Sequence, residues 1–286
     1  MEEIFVSIGI PMYNAERFLT STIKSILNQT HQNFELIITD DGSTDNSVSI
    51  IKSFNDPRIK LIVDGFNKGI SFRLNQQIGT AKGKYFFRMD ADDIMFPNRL
   101  EIQIKYLEEN PNIDAIGSPV VVLNDNDEII AFREVKPIKE YKQLFNNILF
   151  NHPTVAGKIE FFKKFRYSEK LNGVEDADLW IRSFPDSNFS VLDQPVLFYR
   201  DPLVFKLKTY KFRLNQKNKL FRSNDYLKKN LFLRQKLILE NEVKKIIAST
   251  LSLMNKDQLL ISRRNNPSLL IREEWSSILK KIINGK

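Results

Sequence analysis

Three carboxylates crowd into four positions of the stretch "FRMDADDI", residues 87–94: Asp90, Asp92 and Asp93. Side chains of an extended segment repeat every two residues, so Asp90 and Asp92 share a side. Hard oxygen ligands at that spacing suit Mg²⁺ or Mn²⁺, and Mg²⁺ keeps positions for water and phosphate when a protein supplies only one or two acids. A solvated acidic turn is the competing reading, since a lone D-x-D is common by chance. A second group, Asp40-Asp41-Gly42-Ser43-Thr44-Asp45, carries turn and cap residues but more acid than a turn needs. A carboxylate there can accept a hydrogen bond from a nucleotide base N–H, with the Tyr13 ring to stack on the base. A third group, Glu175-Asp176-Ala177-Asp178, precedes Leu179, Trp180 and Ile181 and reads by itself as the acidic start of a helix. Of two histidines, His152 in "FNHPTV" is a secondary candidate and His31 in "NQTHQNF" reads as surface. Trp180 reads as core, with sugar stacking as the alternative.

The elements that must position these groups alternate strand and helix. Ile4–Ile10 reads as a strand, and 16–29 as a helix with Phe18, Leu19, Ile23, Ile26 and Leu27 on one face. A strand follows at 34–39, then a helix to about Phe54 capped by Ser43 or Thr44. Strands at 58–63 and 84–89 flank a helix at 71–81, and Pro97 suits the first turn of a helix reaching Asn110. Strands at 114–123 and 128–133 enclose the turn "NDND". Repeated strand–helix units imply a mostly parallel sheet flanked by helices, an α/β fold, with ligands at the C-terminal strand ends. Tyr13, Asp41 and the 90–93 acids all fall at such ends, so one site is expected, not three loops. Prolines loosen the pattern from about 140. Beyond Pro202 the chain reads as helical, with no glycine until Gly285.

Composition narrows the classes. The chain has 286 residues, no cysteine, and a charge of +8. Thiolate chemistry and disulfides are excluded, and no apolar run approaches the roughly 18–20 residues of a membrane span. The opening "MEEIFVSIGI" is acidic and runs into a strand, unlike a signal peptide. Residues 201–286 hold 20 Lys and Arg against 7 Asp and Glu, while the rest of the chain is mildly acidic. Such asymmetry suggests an anionic partner for the tail.

Three stretches, "VSIGIPMYNAERFLTSTIKSILNQTHQNFELIITDDGSTDNS" (6–47), "NKGISFRLNQQIGTAKGKYFFRMDADDIMFPNRL" (67–100) and "NGVEDADLWIRS" (172–183), together resemble the family 2 glycosyltransferases over about residues 4–200. The resemblance implies a GT-A (Rossmann-like) fold and an inverting transfer from a nucleotide-sugar donor, with Mn²⁺ or Mg²⁺. It implies that Pro11 and Tyr13 lie by the base, that Asp41 reads it, usually as uracil, and that Arg73 sits beside base and diphosphate. Asp90 then lies near the ribose and Asp92 holds the metal, with Asp93 an acidic neighbour of less defined role. Asp176 is implied as the catalytic base, with Glu175 in support and Asp178 as its rival. His152 falls where the family often has a histidine near donor sugar or acceptor. Residues 1–202 would form the catalytic domain (1–110 the nucleotide-binding half, 111–202 the acceptor-side half), and 203–286 a basic helical extension.

Elementary chemistry agrees. In-line displacement at an anomeric carbon needs a base for the acceptor hydroxyl and charge stabilisation for the departing diphosphate, but no enzyme nucleophile. A processive synthase would add membrane spans and a Q-x-x-R-W motif. A sugar nucleotidyltransferase would add a glycine-rich N-terminal loop, and a dinucleotide oxidoreductase G-x-G-x-x-G. None of these is present in the sequence. The expectation is transfer of one sugar, UDP-linked by default, to a glycan or lipid-linked acceptor, in polysaccharide, lipopolysaccharide or glycoprotein glycan synthesis. A degenerate member that binds a nucleotide-sugar without turnover is the alternative. The chain is expected to be cytoplasmic. The tail's Phe205, Leu207, Tyr210, Phe212, Leu214, Leu220 and Phe221, interleaved with Lys and Arg, motivate the hypothesis of a peripheral hold on an anionic membrane face, as against ordinary packed helices. Failure to bind anionic liposomes at low salt would remove it. No nucleic-acid motif is found, and no nucleic-acid partner is expected.

Overall fold

The computed structural model describes residues 4–201, 204–264 and 272–284. Met1, the predicted boundary at 202/203 and Gly285 lie outside the described residues. The first half runs β1 (Val6–Met12), α1 (Glu16–Leu27), β2 (Phe34–Asp40), α2 (Ser47–Ser53), β3 (Ile59–Val63), α3 (Ile70–Thr80), β4 (Tyr85–Arg88), β5 (Ile94–Met95) and α4 (Arg99–Glu109). Then come β6 (Ala115–Gly117), β7 (Val120–Leu123), β8 (Ile129–Arg133), β9 (Ala156–Lys158), α5 (Ile159–Lys164), α6 (Glu175–Ser183), β10 (Phe189–Val191) and β11 (Leu197–Arg200). Five helices follow: α7 (Leu207–Ser223), α8 (Asp225–Lys229), α9 (Leu231–Leu253), α10 (Gln258–Arg264) and α11 (Glu273–Asn284).

A seven-stranded sheet in the order β10-β6-β9-β4-β1-β2-β3 forms the spine. Its β3-β2-β1-β4 portion is parallel, and β9 runs antiparallel to both β4 and β6. This is the α/β, GT-A arrangement the sequence implied, with the basic helices following it. The central strands read as continuous apolar runs because both faces are covered. Leu36 and Ile38 of β2 point into a core with Leu19, Ile23 and Ile26 of α1 and Leu100 of α4. Ile37, between them, points into the opposite core with Leu74 and Ile78 of α3, Phe162 of α5 and Trp180 of α6. Register then aligns the strand ends: Met12 pairs with Asp40 across β1 and β2, and Gly9 with Arg88 across β1 and β4. A Cβ on Gly9 would meet the Phe86 ring at 2.5 Å, so only glycine lets β1 and that ring pack so closely.

Two expectations are corrected. The single strand at 114–123 is two strands in two sheets, because Pro119 has no N–H to continue the ladder. β7 joins a second, four-stranded sheet, β5-β11-β7-β8, against which Trp275 and Leu279 of α11 pack. Nor do Ser43 and Thr44 cap α2, which starts at Ser47. Ser43 Oγ instead accepts the Asn14 N–H at 3.0 Å, and Asn14 Oδ1 accepts the Thr44 N–H at 2.8 Å. Asp45 accepts N–H bonds from Glu16 and Ser47, both at 3.0 Å. The loops after β1 and β2 are thus stitched to each other.

Candidate active site

At the β1 and β2 ends, Tyr13 is 53% exposed and free to stack, and it lines one cavity with Pro11. Asp41 is buried and points into the turn before α3. It accepts N–H bonds from Lys68 at 2.7 Å and from Gly69 at 3.0 Å, the latter in a left-handed conformation (φ 85°) that favours glycine. Arg73 is completely buried. Its Nε donates to Asp41 at 2.9 Å, and its two terminal nitrogens donate to Asp64 at 3.0 and 2.6 Å. This arginine therefore holds Asp41 in place, and its bonding capacity is largely committed to carboxylates and to the Phe66 carbonyl. Asp64 is a residue that sequence reasoning missed. It sits in "VDGFN", which looks like an ordinary turn. The hydrogen bonds from Arg73 and Lys68 hold its carboxyl well below the usual range.

The acids after β4 do cluster. One oxygen from each of Asp90, Asp92 and Asp93 lies within 4.8 Å of the others. Arg88, buried at the end of β4, pairs with Asp90 at 2.6 Å. Asp93 is almost wholly buried. One oxygen accepts the Arg200 N–H at 2.8 Å and the other has no partner. Burial, and then the Asp90 charge, push the Asp92 carboxyl up to about 6. Burial and the two neighbouring acids push Asp93 well above its ordinary value. Three carboxylates this close, one with an unpartnered oxygen, fit a hard divalent cation. Arg200, the other missed residue, braces the cluster from β11. Its Nε donates to the Asp92 carbonyl at 3.0 Å and its guanidinium covers the Phe18 ring at 3.8 Å. More than a hundred positions separate it from the acids, and no local pattern links them. Arg88 at least stands beside the D-x-D in the sequence.

The third acidic group opens α6. Asp176 Oδ1 accepts the Ala177 N–H at 2.7 Å. Glu175 is buried with Oε2 unpartnered, and burial followed by the Asp176 charge raises its carboxyl. Asp178, its apparent equal in the sequence, turns away to pair with Arg182 at 2.8 Å. His152 is buried against the Tyr167 hydroxyl at 2.8 Å, and burial plus the Arg88 charge hold it well below its ordinary value, hence neutral. Trp180 lies in the core against Phe150 and Phe189.

Three cavities share lining residues across these groups. The first, about 510 Å³, is lined by Pro11, Tyr13, Asp41, Arg73, Asp90 and Asp92. The second, about 320 Å³, shares Asp90 with the first and adds Arg88, His152, Glu175 and Asp176. The third, about 200 Å³, shares Asp176 with the second and adds Trp180 and Lys217. A larger cavity of about 790 Å³, near Tyr106, Phe132 and Trp275, gathers none of the strand-end residues.

The Glycosyl transferase family 2 model matches residues 7–166. An uncharacterized glycosyltransferase of Methanocaldococcus jannaschii, MJ1057, is 37% identical over 71% of this chain and 72% of its own. The UDP-Glc:alpha-D-GlcNAc-diphosphoundecaprenol beta-1,3-glucosyltransferase WfgD of Escherichia coli is 33% identical over 68% of this chain and 75% of its own. Among solved structures, S. aureus TarS 1-349 in complex with UDP-GlcNAc superposes with a TM-score of 0.59 at 17% identity, over 98% of this chain and 81% of that one. The mannosyltransferase PcManGT of Pyrobaculum calidifontis, in complex with GDP-Man and Mn²⁺, gives 0.60 at 14%, over 97% and 84%. Sequence and fold converge on one answer, and the chain belongs to glycosyl transferase family 2.

Proposed function

We propose that this glycosyltransferase moves one sugar, with inversion, from a UDP-sugar to a glycan or lipid-linked acceptor. Three neighbouring cavities carry the reading: they share Asp90 and Asp176 and so bring residues suited to nucleotide, sugar and acceptor beside one another. Tyr13 and Asp41 bind the base, and Arg73 fixes Asp41. Asp92, with Asp90 and Asp93 beside it, would hold Mn²⁺ or Mg²⁺, which supplies charge neutralisation at the diphosphate. Asp176 takes the proton of the acceptor hydroxyl as that oxygen bonds to the anomeric carbon and the carbon–diphosphate bond breaks. A WfgD-like relative whose name includes a UDP-sugar donor and a diphosphate-linked acceptor supports the substrate class.

Calorimetry tests this. UDP binds wild type in the presence of Mn²⁺ and at least about tenfold more weakly with chelator or in Asp92→Ala, a loss of about 1.4 kcal/mol. The metal-dependent part fades as pH falls through about 6, because Asp92 must shed its proton to take a cation. Equal UDP binding by both proteins would remove Asp92 from the metal site.

A further inference from the structure

The long helix α9 turns an apolar stripe to solvent. Phe232, Leu239, Ile246 and Leu253 recur at every seventh position and are 87, 64, 66 and 86% exposed. Lys236, Val243 and Thr250, each four positions further on from the first three, are exposed as well. Spacing that alternates four and three is that of a coiled-coil seam, where one helix seats its side chains between those of another. A straight helix turning every 3.6 residues gains nothing by itself from a strict seven-residue repeat on its wet side.

The opposite side of α9 is already used. Leu237, Asn241 and Ala248 are buried. Asn241 donates to Asn218 of α7 at 2.7 Å, and Asn218 donates to Glu242 at 2.8 Å. These contacts fix which face is left outward. The stripe is also separate from the transfer site, because no α9 residue lines any of the four cavities.

The size of the stripe points to a protein partner. With roughly 200 Å² available to a large apolar side chain, the four repeat residues and Val243, bordered by the exposed Ile247 and Met254, leave on the order of 800 Å² open. That is about one partner's share of a standard interface, whereas the largest apolar patch of a monomer is about 300–600 Å². A second copy brings a stripe of the same period and length. An anionic lipid surface fits less well, since Glu240 and Glu242 border the stripe on either side and would be repelled. In a parallel pair each seam residue meets its own counterpart, setting Lys236 against Lys236. Antiparallel docking about Val243, in the middle, sets Lys236 of one copy beside Thr250 of the other and closes a two-fold pair.

We propose that the α9 stripe is a self-association surface on which a second copy of this chain docks antiparallel, making the protein a two-fold dimer in solution. Light scattering coupled to gel filtration of the full chain at about 20 µM tests this, above the micromolar weak end for such an interface. Wild type runs at twice the 33.5 kDa of one chain. Leu239→Glu and Ile246→Glu each weaken association at least about hundredfold, because two carboxylates per dimer would be buried without partners, and both run as single chains. Both keep the wild-type circular dichroism and UDP affinity, since both positions face solvent in one chain. Cysteines placed in a chain that has none give the orientation. With diamide as oxidant, Val243→Cys links to itself. Phe232→Cys and Leu253→Cys link only when mixed with each other. Self-linking of Phe232→Cys overturns the antiparallel docking. A monomeric wild type overturns the dimer, and so does a dimer indifferent to both glutamates, which would use another face. A monomer that binds phosphatidylglycerol vesicles, and loses them in Ile246→Glu, also overturns it and gives the stripe to a membrane.

Discussion

Asp176→Asn lowers the turnover of a UDP-sugar by about 10³-fold, within the range for loss of a general base. UDP affinity stays within about twofold, because Asp176 lines the central and acceptor-side cavities and not the one holding Tyr13 and Asp41. The readout is UDP release from whichever UDP-sugar turns over first, with water as acceptor where no other is known. Asp178→Asn is the discriminating partner. Its carboxylate is spent on Arg182, so its loss costs some stability and leaves turnover nearly intact. An inactive Asp178→Asn beside an active Asp176→Asn would move the base two positions along the helix.

The second large effect is on stability. Arg73→Met costs about 3–5 kcal/mol, the usual consequence of breaking a buried pair and leaving a charge behind. Two features set this position apart from the surface pairs. The arginine side chain is fully buried while serving both Asp41 and Asp64, and Asp41 is itself nearly enclosed. Asp64 is about a quarter exposed and can regain water, which favours the lower end of the range. Urea unfolding gives the stability loss. UDP titration of the folded fraction shows weakened binding as Asp41 loses its clamp. A stability loss below about 1 kcal/mol would mean that the clamp contributes no more than an exposed pair.

How much of this was legible depended on the range of the interaction. The strand ends were readable because β1, β2 and β4 are apolar runs that stop at Tyr13, Asp41 and Asp90, and covered parallel strands must read that way. The helix face carrying Leu19, Ile23 and Ile26 was readable from its spacing. β9 was not, since three residues, Ala156–Lys158, carry no period, yet it reverses the sheet's direction. The partners of the site acids were equally hidden. Arg200 reaches Asp93 across 107 positions, and which acid of Glu175-Asp176-Ala177-Asp178 faces the crevice is set by Arg182 and by how α6 packs. The basic character of α7 was plain from composition. That two of its cations meet the cavity beside Asp176 follows only from the docking of α7 on Gly173.

The antiparallel insertion of β9 has a consequence for synthesis. β4 pairs with β1 on one side, but its other edge waits for Ala156–Lys158. At translation rates of roughly 5–20 residues per second, the ribosome needs on the order of 4–14 s to make the intervening stretch. Throughout that interval the nascent chain already contains the residues that line the cavity at Tyr13, Asp41 and Asp92, beside an unpaired strand edge of the kind that recruits other chains. Residues 1–110 on their own would therefore leave the β4 edge unpaired. The strand that leads to the acids at 90–93 is sealed only when Ala156–Lys158 arrive, which couples completion of the cavity beside Asp90 and Asp92 to emergence of the segment leading to Asp176.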